Sequence, residues 1–285
     1  MSIVEQNMPG GPALSRDDLR QRVAGQSLFA VLHGLAAQGE FGIDLASRHV
    51  HTSPVSASWY SGLLGERRVA SFLDRLGPDV TVLHSVPVGS KSSDIDHVVI
   101  SQAGVFTINS KNHPGQAVWV GGHGMMVGGS KVHHLRNASH EAKRAERMLS
   151  LASGLTVPVT AVIALVGVAQ FTVRQPPKGN GVDIAVVRDR DLVGFLSGRA
   201  VFSTEQVQRI VDVAVLARTW SSTVLREPDV AELVSVFSAF ETLPPLSPKP
   251  RNAAVAVLRA WLGIAAGSIP LYFGSLALIE VLRAL

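Results

Sequence analysis

The sequence predicts a mixed α/β fold, of the α/β or α+β class, in which one central sheet is flanked by helices. Two observations predict this fold and a third extends it. Helical periodicity alternates with runs rich in Val, Ile and Phe across residues 59–225, as in layered folds. The stretch "SDIDHVVISQAGVFTINSK" alternates like two strands around a short turn. A charge-free stretch near the end of the chain predicts one C-terminal transmembrane helix.

The elements follow in order from the spacing of apolar residues and from the turn residues between them. Val69, Leu73 and Leu76 recur at helical spacing and predict a helix over 59–76. Turn-forming residues separate the apolar runs that follow. The remaining predictions are strands near 81–86, 95–100, 105–110 and 116–120, a helix near 135–152, strands near 157–167 and 183–187, and helices near 190–196 and 204–219.

Four segments are expected along the chain. The first, residues 1–57, is an N-terminal extension with one helix near 16–37 and then a loop. The second, residues 58–225, is the α/β domain. The third, residues 226–259, holds a helix and the linker "LPPLSPKPRN", whose prolines predict a stiff, extended connection. The fourth, residues 260–280, is the transmembrane helix.

The membrane prediction rests on length and charge. The chain carries 20 residues without a charge from Ala260 to Ile279, and a helix of that length rises about 30 Å. Pro270, near the middle, would break a short soluble helix but is tolerated in a membrane. A buried core helix is the alternative interpretation.

The residues around this stretch predict its orientation and a contact. Basic residues are more frequent before the stretch than after it, so the positive-inside rule places the bulk of the chain on the cytoplasmic side of a bacterial membrane. Gly263 and Gly267 form a GxxxG pair, through which two such helices could form a homodimer. The basic residues are Lys249, Arg251 and Arg259 before the stretch and Arg283 after it.

Composition limits the classes of function. The formal net charge of +4 and a pI of about 9.8 favour an anionic partner such as nucleic acid or a lipid surface. The chain has no cysteine, which excludes disulfides and thiolate metal sites. The N-terminal segment carries acidic residues where a signal peptide would be basic and then apolar.

The hairpin is expected to gather polar side chains on one face. If Ile100 pairs with Val105, then Asp96 lies opposite Asn109, and Asp94 lies opposite Lys111. Side chains alternate between the faces of a sheet with a period of two. The two aspartates, the asparagine and the lysine should therefore project from the same face at one end of the hairpin.

The helix before the hairpin adds a further acidic side chain. Glu66 lies three residues before Val69 and seven before Leu73, so it belongs to the inward-facing stripe. A carboxylate on an apolar stripe requires a cation or a lysine as partner. The alternative is a partly exposed glutamate near the start of the helix, where the helix dipole favours it.

These segments resemble the nuclease-related domain family, NERD, a branch of the PD-(D/E)xK restriction-endonuclease-like superfamily. The resemblance covers residues 59–190 through "LGERRVASFLDRL", "SDIDHVVISQAGVFTINSKN" and "HPGQAVWV". It implies a restriction-endonuclease-like central mixed sheet. The family motifs Gly-Glu, Ile-Asp-His and Glu-x-Lys-Asn, with a following Gly, correspond to Gly65 and Glu66, to Ile95, Asp96 and His97, and to Asn109, Lys111, Asn112 and Gly115.

The resemblance implies a metal-dependent nuclease that hydrolyses phosphodiester bonds with Mg²⁺ or Mn²⁺. Its catalytic residues would be Glu66, Asp96, Asn109 and Lys111, and its metal ligands Asp96, Asp94 and Glu66. Asn109 departs from the family pattern, which has glutamate there, and so removes one negative charge. We therefore expect weak metal affinity. Either Asp94 or Glu66 supplies the missing charge, or the site is degenerate and the domain only binds nucleic acid.

The helix near 135–152 bears on the substrate. Its basic residues fall on one side and its alanines and leucines on the other, so the apolar side can pack on the sheet. Such a stripe suits a phosphate backbone, of DNA more than RNA, although a solvated face or an anionic lipid contact are the alternatives. The predicted nucleic-acid-binding residues are Arg136, His140, Lys143, Arg144 and Arg147.

Two functions follow from the sequence. The first is a membrane-tethered, metal-dependent nuclease. The second is a catalytically degenerate, membrane-anchored protein that binds nucleic acid without cutting it. Asn109 is the residue that keeps the second function open.

Overall fold

The computed structural model describes residues 17–88, 94–221 and 228–242. The chain divides into a unit ending at Phe240 and a second unit, Glu241–Leu285, of which two residues are described. The predicted linker, the predicted span at 260–280 and the glycine pair within it lie outside the described residues. Within the described ranges, no helix is both long and apolar enough to cross a membrane.

Seven helices and eleven strands make up the described part of the chain. Short 3-10 turns at Leu19–Gln21 and Asp189–Asp191 accompany them. In chain order the elements are α1 (Gln26–Ala36), β1 (Phe41–Asp44), β2 (His49–Thr52), α2 (Ala57–Leu73), β3 (Thr81–Pro87), β4 (Asp94–Ser101), β5 (Gly104–Asn112), β6 (Ala117–Gly121), β7 (Gly124–Val127), β8 (Ser130–Val132), α3 (His134–Ser153), β9 (Val159–Val166), β10 (Gln170–Gln175), β11 (Ile184–Arg188), α4 (Leu192–Leu196), α5 (Thr204–Ala214), α6 (Ala217–Trp220) and α7 (Ala231–Thr242).

The central sheet is mixed and has five strands in the order β11-β9-β5-β4-β3. The strands β11, β9 and β5 are parallel, while β4 and β3 extend the sheet in antiparallel fashion. The prediction of a mixed α/β fold with helices around a central sheet is thus confirmed. Every element predicted between 59 and 196 has a counterpart within a few residues, whereas the helix predicted near 204–219 is divided into α5 and α6.

The sequence predicts one central sheet, and the described residues also form sheets that it did not predict. The strands β10, β6, β7 and β8 form a separate four-stranded sheet in that order. Of these only β6 was predicted, because β7 and β8 are short and glycine-bounded, and β10 is largely exposed and polar. Such segments lack the apolar alternation that marks a half-buried strand.

The N-terminal region is also more ordered than the sequence indicates. The helix predicted near 16–37 begins at Gln26, because Gly25 adopts a left-handed conformation (φ 81°) directly before it. The expected loop contains the antiparallel pair β1–β2. Phe29 and Leu32 of α1 pack with Leu63 of α2, so the region shares a hydrophobic cluster with the helix that carries Glu66.

The helices α2 and α3 cover opposite faces of the central sheet. Val162 and Ala164 of β9 pack in the cluster that contains Val69 and Leu73 of α2. The alternate residues of β9 pack in the cluster that contains the alanines of α3. Because both faces are covered, β9 is a continuous apolar run rather than an alternating one.

Candidate active site

The β4–β5 hairpin has the predicted register along its paired length. Ile100 pairs with Val105 and Val98 with Thr107, and the ladder ends at His97 and Ile108. Beyond that point, the predicted Asp96–Asn109 and Asp94–Lys111 pairs are absent from the ladder. Instead, the Asp96 side chain joins the two strands there, because its Oδ2 accepts a hydrogen bond from the backbone N–H of Ser110 at 2.6 Å.

Asp96 lies at the end of this hairpin, where the ladder has stopped. Burial raises the pKa of its carboxyl to about 6, and the charge of Asp94 adds to the increase. The positive charge of Lys111 and the hydrogen bonds from Ser110 act in the opposite direction. Asp96 is therefore an acid whose negative charge is weakly stabilised by the protein and which gains from an added cation.

Asn109 is 8% exposed, and its side chain makes one hydrogen bond among the described residues. Its amide nitrogen donates to Glu141 Oε2 at 2.8 Å. Its amide oxygen, Oδ1, is buried and has no hydrogen-bond partner among the described residues. A buried amide oxygen without a partner costs free energy, which makes it a candidate ligand for something the protein binds.

Glu141 is a site residue that the sequence reasoning missed. It projects from α3 toward β5, and burial raises the pKa of its carboxyl to about 7. The hydrogen bond from Asn109 and the charge of Lys111 lower that pKa, while Asp96 and Asp94 raise it. The sequence does indicate that Glu141 faces inward, since it lies three residues after Ala138 and four before Ala145, which are both buried on the inner side of the helix.

Glu66 reaches the site from α2, on the other face of the sheet. It is 6% exposed and lies on the predicted inward stripe of the helix. The backbone N–H of Gly25 donates to its carboxylate, while its Oε2 has no partner within the described ranges. Burial and the charges of Asp96 and Asp94 raise the pKa of Glu66 well above its usual range, and Lys111 opposes them.

The close approach of α2 to β5 explains the glycine beside Glu66. A Cβ on Gly65 would lie 3.0 Å from the Asn112 Cβ, so a larger residue would push the helix away from the strand. The Asn112 amide nitrogen donates to the Ser61 carbonyl oxygen at 2.9 Å and joins the same two elements. Gly65 and Asn112 therefore hold Glu66 near the end of β5.

A chain of hydrogen bonds supports Asp96 from β3. His84 Nδ1 lies 2.8 Å from His97 Nδ1, and His97 Nε2 lies 3.3 Å from Ser110 Oγ. Ser110 donates to Asp96 from its backbone and its side chain. Burial lowers the pKa of both imidazoles, so the pair is neutral at pH 7 and links the aspartate to the sheet interior.

The basic stripe of α3 borders the acidic residues. Arg144 is half-buried, and the other four predicted residues, Arg136, His140, Lys143 and Arg147, are exposed. A groove of about 720 Å³ is lined by the carboxylates of Asp94, Glu141 and Glu146 and by the basic residues His140, Lys143, Arg144 and Arg147. Four of the five predicted basic residues therefore share a groove with three carboxylates.

The donor atoms of the site suit a hard divalent cation in type. The carboxylates of Asp96 and Glu66 and the Asn109 amide oxygen are all oxygen donors, as Mg²⁺ and Mn²⁺ prefer. Of the four buried side-chain polar atoms without a partner in the described residues, two are Glu66 Oε2 and Asn109 Oδ1. No three His, Asp or Glu side chains converge as a ready metal cluster in the described part of the chain.

Comparison with known proteins identifies the domain. The nuclease-related domain family, NERD, matches residues 61–166. A 67-residue segment is 39% identical to an uncharacterized protein of Bacillus anthracis, covering 22% of this chain and 30% of that protein. No solved structure matches the chain. Residues 61–166 are therefore a nuclease-related domain, NERD.

Proposed function

We propose that this protein is a metal-dependent nuclease that hydrolyses phosphodiester bonds in nucleic acid. The observation that supports it most is the convergence of Asp96, Asn109 and Lys111 at one end of β5, where a buried amide oxygen has no partner among the described residues. We also propose that the domain has the restriction-endonuclease-like arrangement. The mixed sheet between α2 and α3 is consistent with it.

The oxygen donors would hold Mg²⁺ or Mn²⁺. Asp96 would be the main ligand, Asn109 Oδ1 a neutral one, and Glu66 and Asp94 auxiliary ones. The chemistry supplied by such an ion is polarisation of the scissile phosphate and a lower pKa for a bound water. One ligand is neutral, so we expect weak affinity, because Mg²⁺ is held in proteins largely by carboxylates, water and substrate phosphate.

Lys111 would stabilise the developing negative charge. Its ammonium lies close enough to Asp96 to lower the pKa of that carboxyl. In the reaction the water oxygen bonds to phosphorus while the phosphorus–oxygen bond to the leaving group breaks, and the proton that the water loses is balanced by the one that the leaving oxygen gains. Lys111 would orient the water and neutralise charge on the phosphate oxygens as that exchange proceeds.

The groove along α3 would position the substrate. Lys143 and Arg147 are exposed beside the carboxylates, where they can contact phosphate oxygens on either side of the scissile bond. Such contacts depend on the backbone and not on base sequence. We propose DNA as the main substrate and RNA as the lesser one.

A second function, nucleic-acid binding without cleavage, is favoured by one observation. Asn109 replaces the glutamate of the family pattern and leaves the site one negative charge short. If no other residue compensates, the groove would bind nucleic acid while the site fails to hold its ion.

The deciding experiment uses the full 285-residue chain in a mild detergent. It would be incubated with supercoiled, linear and single-stranded DNA and with RNA, in Mg²⁺ and in Mn²⁺. Cutting that requires the metal and disappears in Asp96→Ala and Lys111→Ala would support the nuclease. Salt-sensitive binding without cutting under any condition would support the second function instead.

We further propose that residues 260–280 anchor the chain in a bacterial cell membrane as a single span. The α/β domain at 58–225 would then lie in the cytoplasm, joined through 226–259, with 1–57 as an N-terminal extension. The support is the charge-free stretch and its flanking basic residues. Release of the chain from membranes by alkaline carbonate would contradict the anchor.

We also propose that Gly263 and Gly267 let two such spans form a homodimer. Unchanged self-association after Gly263→Leu and Gly267→Leu would contradict this dimer.

A further inference from the structure

An asparagine in a metal site can face the ion in two ways. Its amide presents either an oxygen, which binds a cation, or an NH₂ group, which repels it. Asn109 is buried, so its orientation is set by its neighbours and not by water. The structure gives one such neighbour, Glu141, at 2.8 Å from the amide nitrogen.

We propose that Glu141 is the positioning residue that makes Asn109 a metal ligand and supplies the negative charge that position 109 lacks. The proposal rests on the proposed metal-dependent function of this site. Asn109 Oδ1 would contact the ion directly, and Glu141 would act through it from α3.

The hydrogen bond determines the direction of the amide. The Asn109 amide nitrogen donates to Glu141 Oε2 at 2.8 Å, so the nitrogen is turned toward α3. The oxygen then turns away from α3, and it is this oxygen that is buried without a partner in the described residues.

The same contact returns the missing charge to the site. Glu141 is close enough to Asp96, Asp94 and Lys111 for each of their charges to act on its carboxyl. Outer-sphere carboxylates that hold a metal ligand commonly contribute about 10–100-fold to metal affinity. The site would thus keep its carboxylate charge while the ligand atom on β5 became neutral.

The test measures Mn²⁺ affinity of the full chain by calorimetry, without substrate. Glu141→Gln should weaken Mn²⁺ binding about tenfold or more, because its NH₂ group competes for the amide and its charge is gone. Glu146→Gln is the matched control, since Glu146 is on the same helix and lines the same groove, but its carboxylate accepts from the Val159 backbone and not from Asn109. The control should leave the affinity within about twofold.

The exchange variant N109E/E141Q makes the test sharper. It moves the charge to β5 and reverses the hydrogen bond, so that the new glutamine on α3 donates to the new glutamate on β5. It should bind Mn²⁺ at least as tightly as the original chain, even if the single variant Glu141→Gln unfolds. Asn109→Glu alone would place two carboxylates against each other and should lower the thermal stability.

The outcomes separate this proposal from the proposed function. Unchanged Mn²⁺ affinity in Glu141→Gln would overturn the role of Glu141 and leave the nuclease standing. A third outcome is that Asp96→Ala and Glu141→Gln both lose Mn²⁺ binding while the original chain binds Mn²⁺ but cuts no nucleic acid. That outcome would support the role of Glu141 and overturn the nuclease. A chain that does not bind Mn²⁺ would overturn both.

Discussion

Two acidic side chains reach the end of β5 from opposite faces of the central sheet, and they differ in how the protein holds them. Glu66 on α2 is nearly inaccessible, and its Oε2 has no partner within the described ranges. Glu141 on α3 lines the groove and accepts a hydrogen bond from Asn109. The first is therefore suited to contact an ion directly, and the second to orient a ligand.

The contrast extends to the surroundings of each face. The α2 face is apolar beneath Glu66, where Val69 and Leu73 pack on the sheet. The α3 face opens into a groove that carries basic residues. One face thus isolates the site from water while the other opens to solvent through the groove, and the residues of β4 and β5 lie between them.

The largest expected effect comes from Asp96, to which both faces are electrostatically coupled. We expect Asp96→Ala to lower the cutting rate by about 10³-fold or more, because the main metal ligand is lost. The rate should be measured on supercoiled DNA in Mg²⁺. Asp212→Ala, an exposed carboxylate on α5, is the control and should cut normally. Equal cutting by both variants would exclude Asp96 from the reaction.

Glu66→Gln tests the α2 side of the comparison. The variant keeps the size of the side chain and an oxygen for the Gly25 N–H, but it removes the ionisable group. We expect Mn²⁺ affinity to fall about 10–100-fold, as for other residues that directly support a metal. Calorimetry without substrate provides the measurement. If Glu66→Gln binds Mn²⁺ normally while Glu141→Gln does not, Glu66 does not hold the ion and only the α3 side of the comparison stands.

The difference between the two glutamates also explains what the sequence can predict. Glu66 is predictable because it lies on an apolar helical stripe beside Gly65, and because the register of the hairpin follows from its turn. Most of the central sheet is predictable for the same reason, since β5 and β9 are long apolar runs between turn residues.

Glu141 and the second sheet could not be found in this way. The basic residues around Glu141 dominate the pattern of α3, and its partner is 32 positions away on β5. His84 is linked to Asp96 through His97 and Ser110, a chain that spans three strands. Such contacts depend on how elements cross in space, and a one-dimensional pattern contains no information on crossings.

Substitutions in the basic groove test whether the substrate binds on the α3 face alone. Each phosphate contact that is removed should reduce the slope of log affinity against log salt by about one. We expect this loss in Lys143→Ala and Arg147→Ala, together with weaker binding of DNA at low salt. Arg68→Ala is the matched control, because Arg68 is an exposed arginine on α2, on the opposite face. An equal reduction of the salt slope in Arg68→Ala would mean that nucleic acid contacts both faces.

The smallest expected effect is a pH-dependent difference in thermal stability between the original chain and Glu141→Gln, measured without metal. Burial raises the pKa of Glu141 from 4.5 to about 7 in the folded protein. Between these values the folded state holds a proton that the unfolded chain releases, so the stability from Glu141 is complete below pH 4.5 and is lost as the pH rises through 7. Glutamine does not titrate and has no such loss.

The melting temperature of Glu141→Gln, relative to that of the original chain, should therefore rise between about pH 5 and pH 8. Each 1 kcal/mol corresponds to about 2–4 °C for a domain of this size, so a pKa raised from 4.5 to about 7 predicts a relative rise of several degrees. The buried histidines titrate in both proteins, so their contribution cancels in the difference. A constant difference in Glu141→Gln would mean that the Glu141 carboxylate is as well solvated in the folded chain as in the unfolded one, and that the α3 face does not bury its acid.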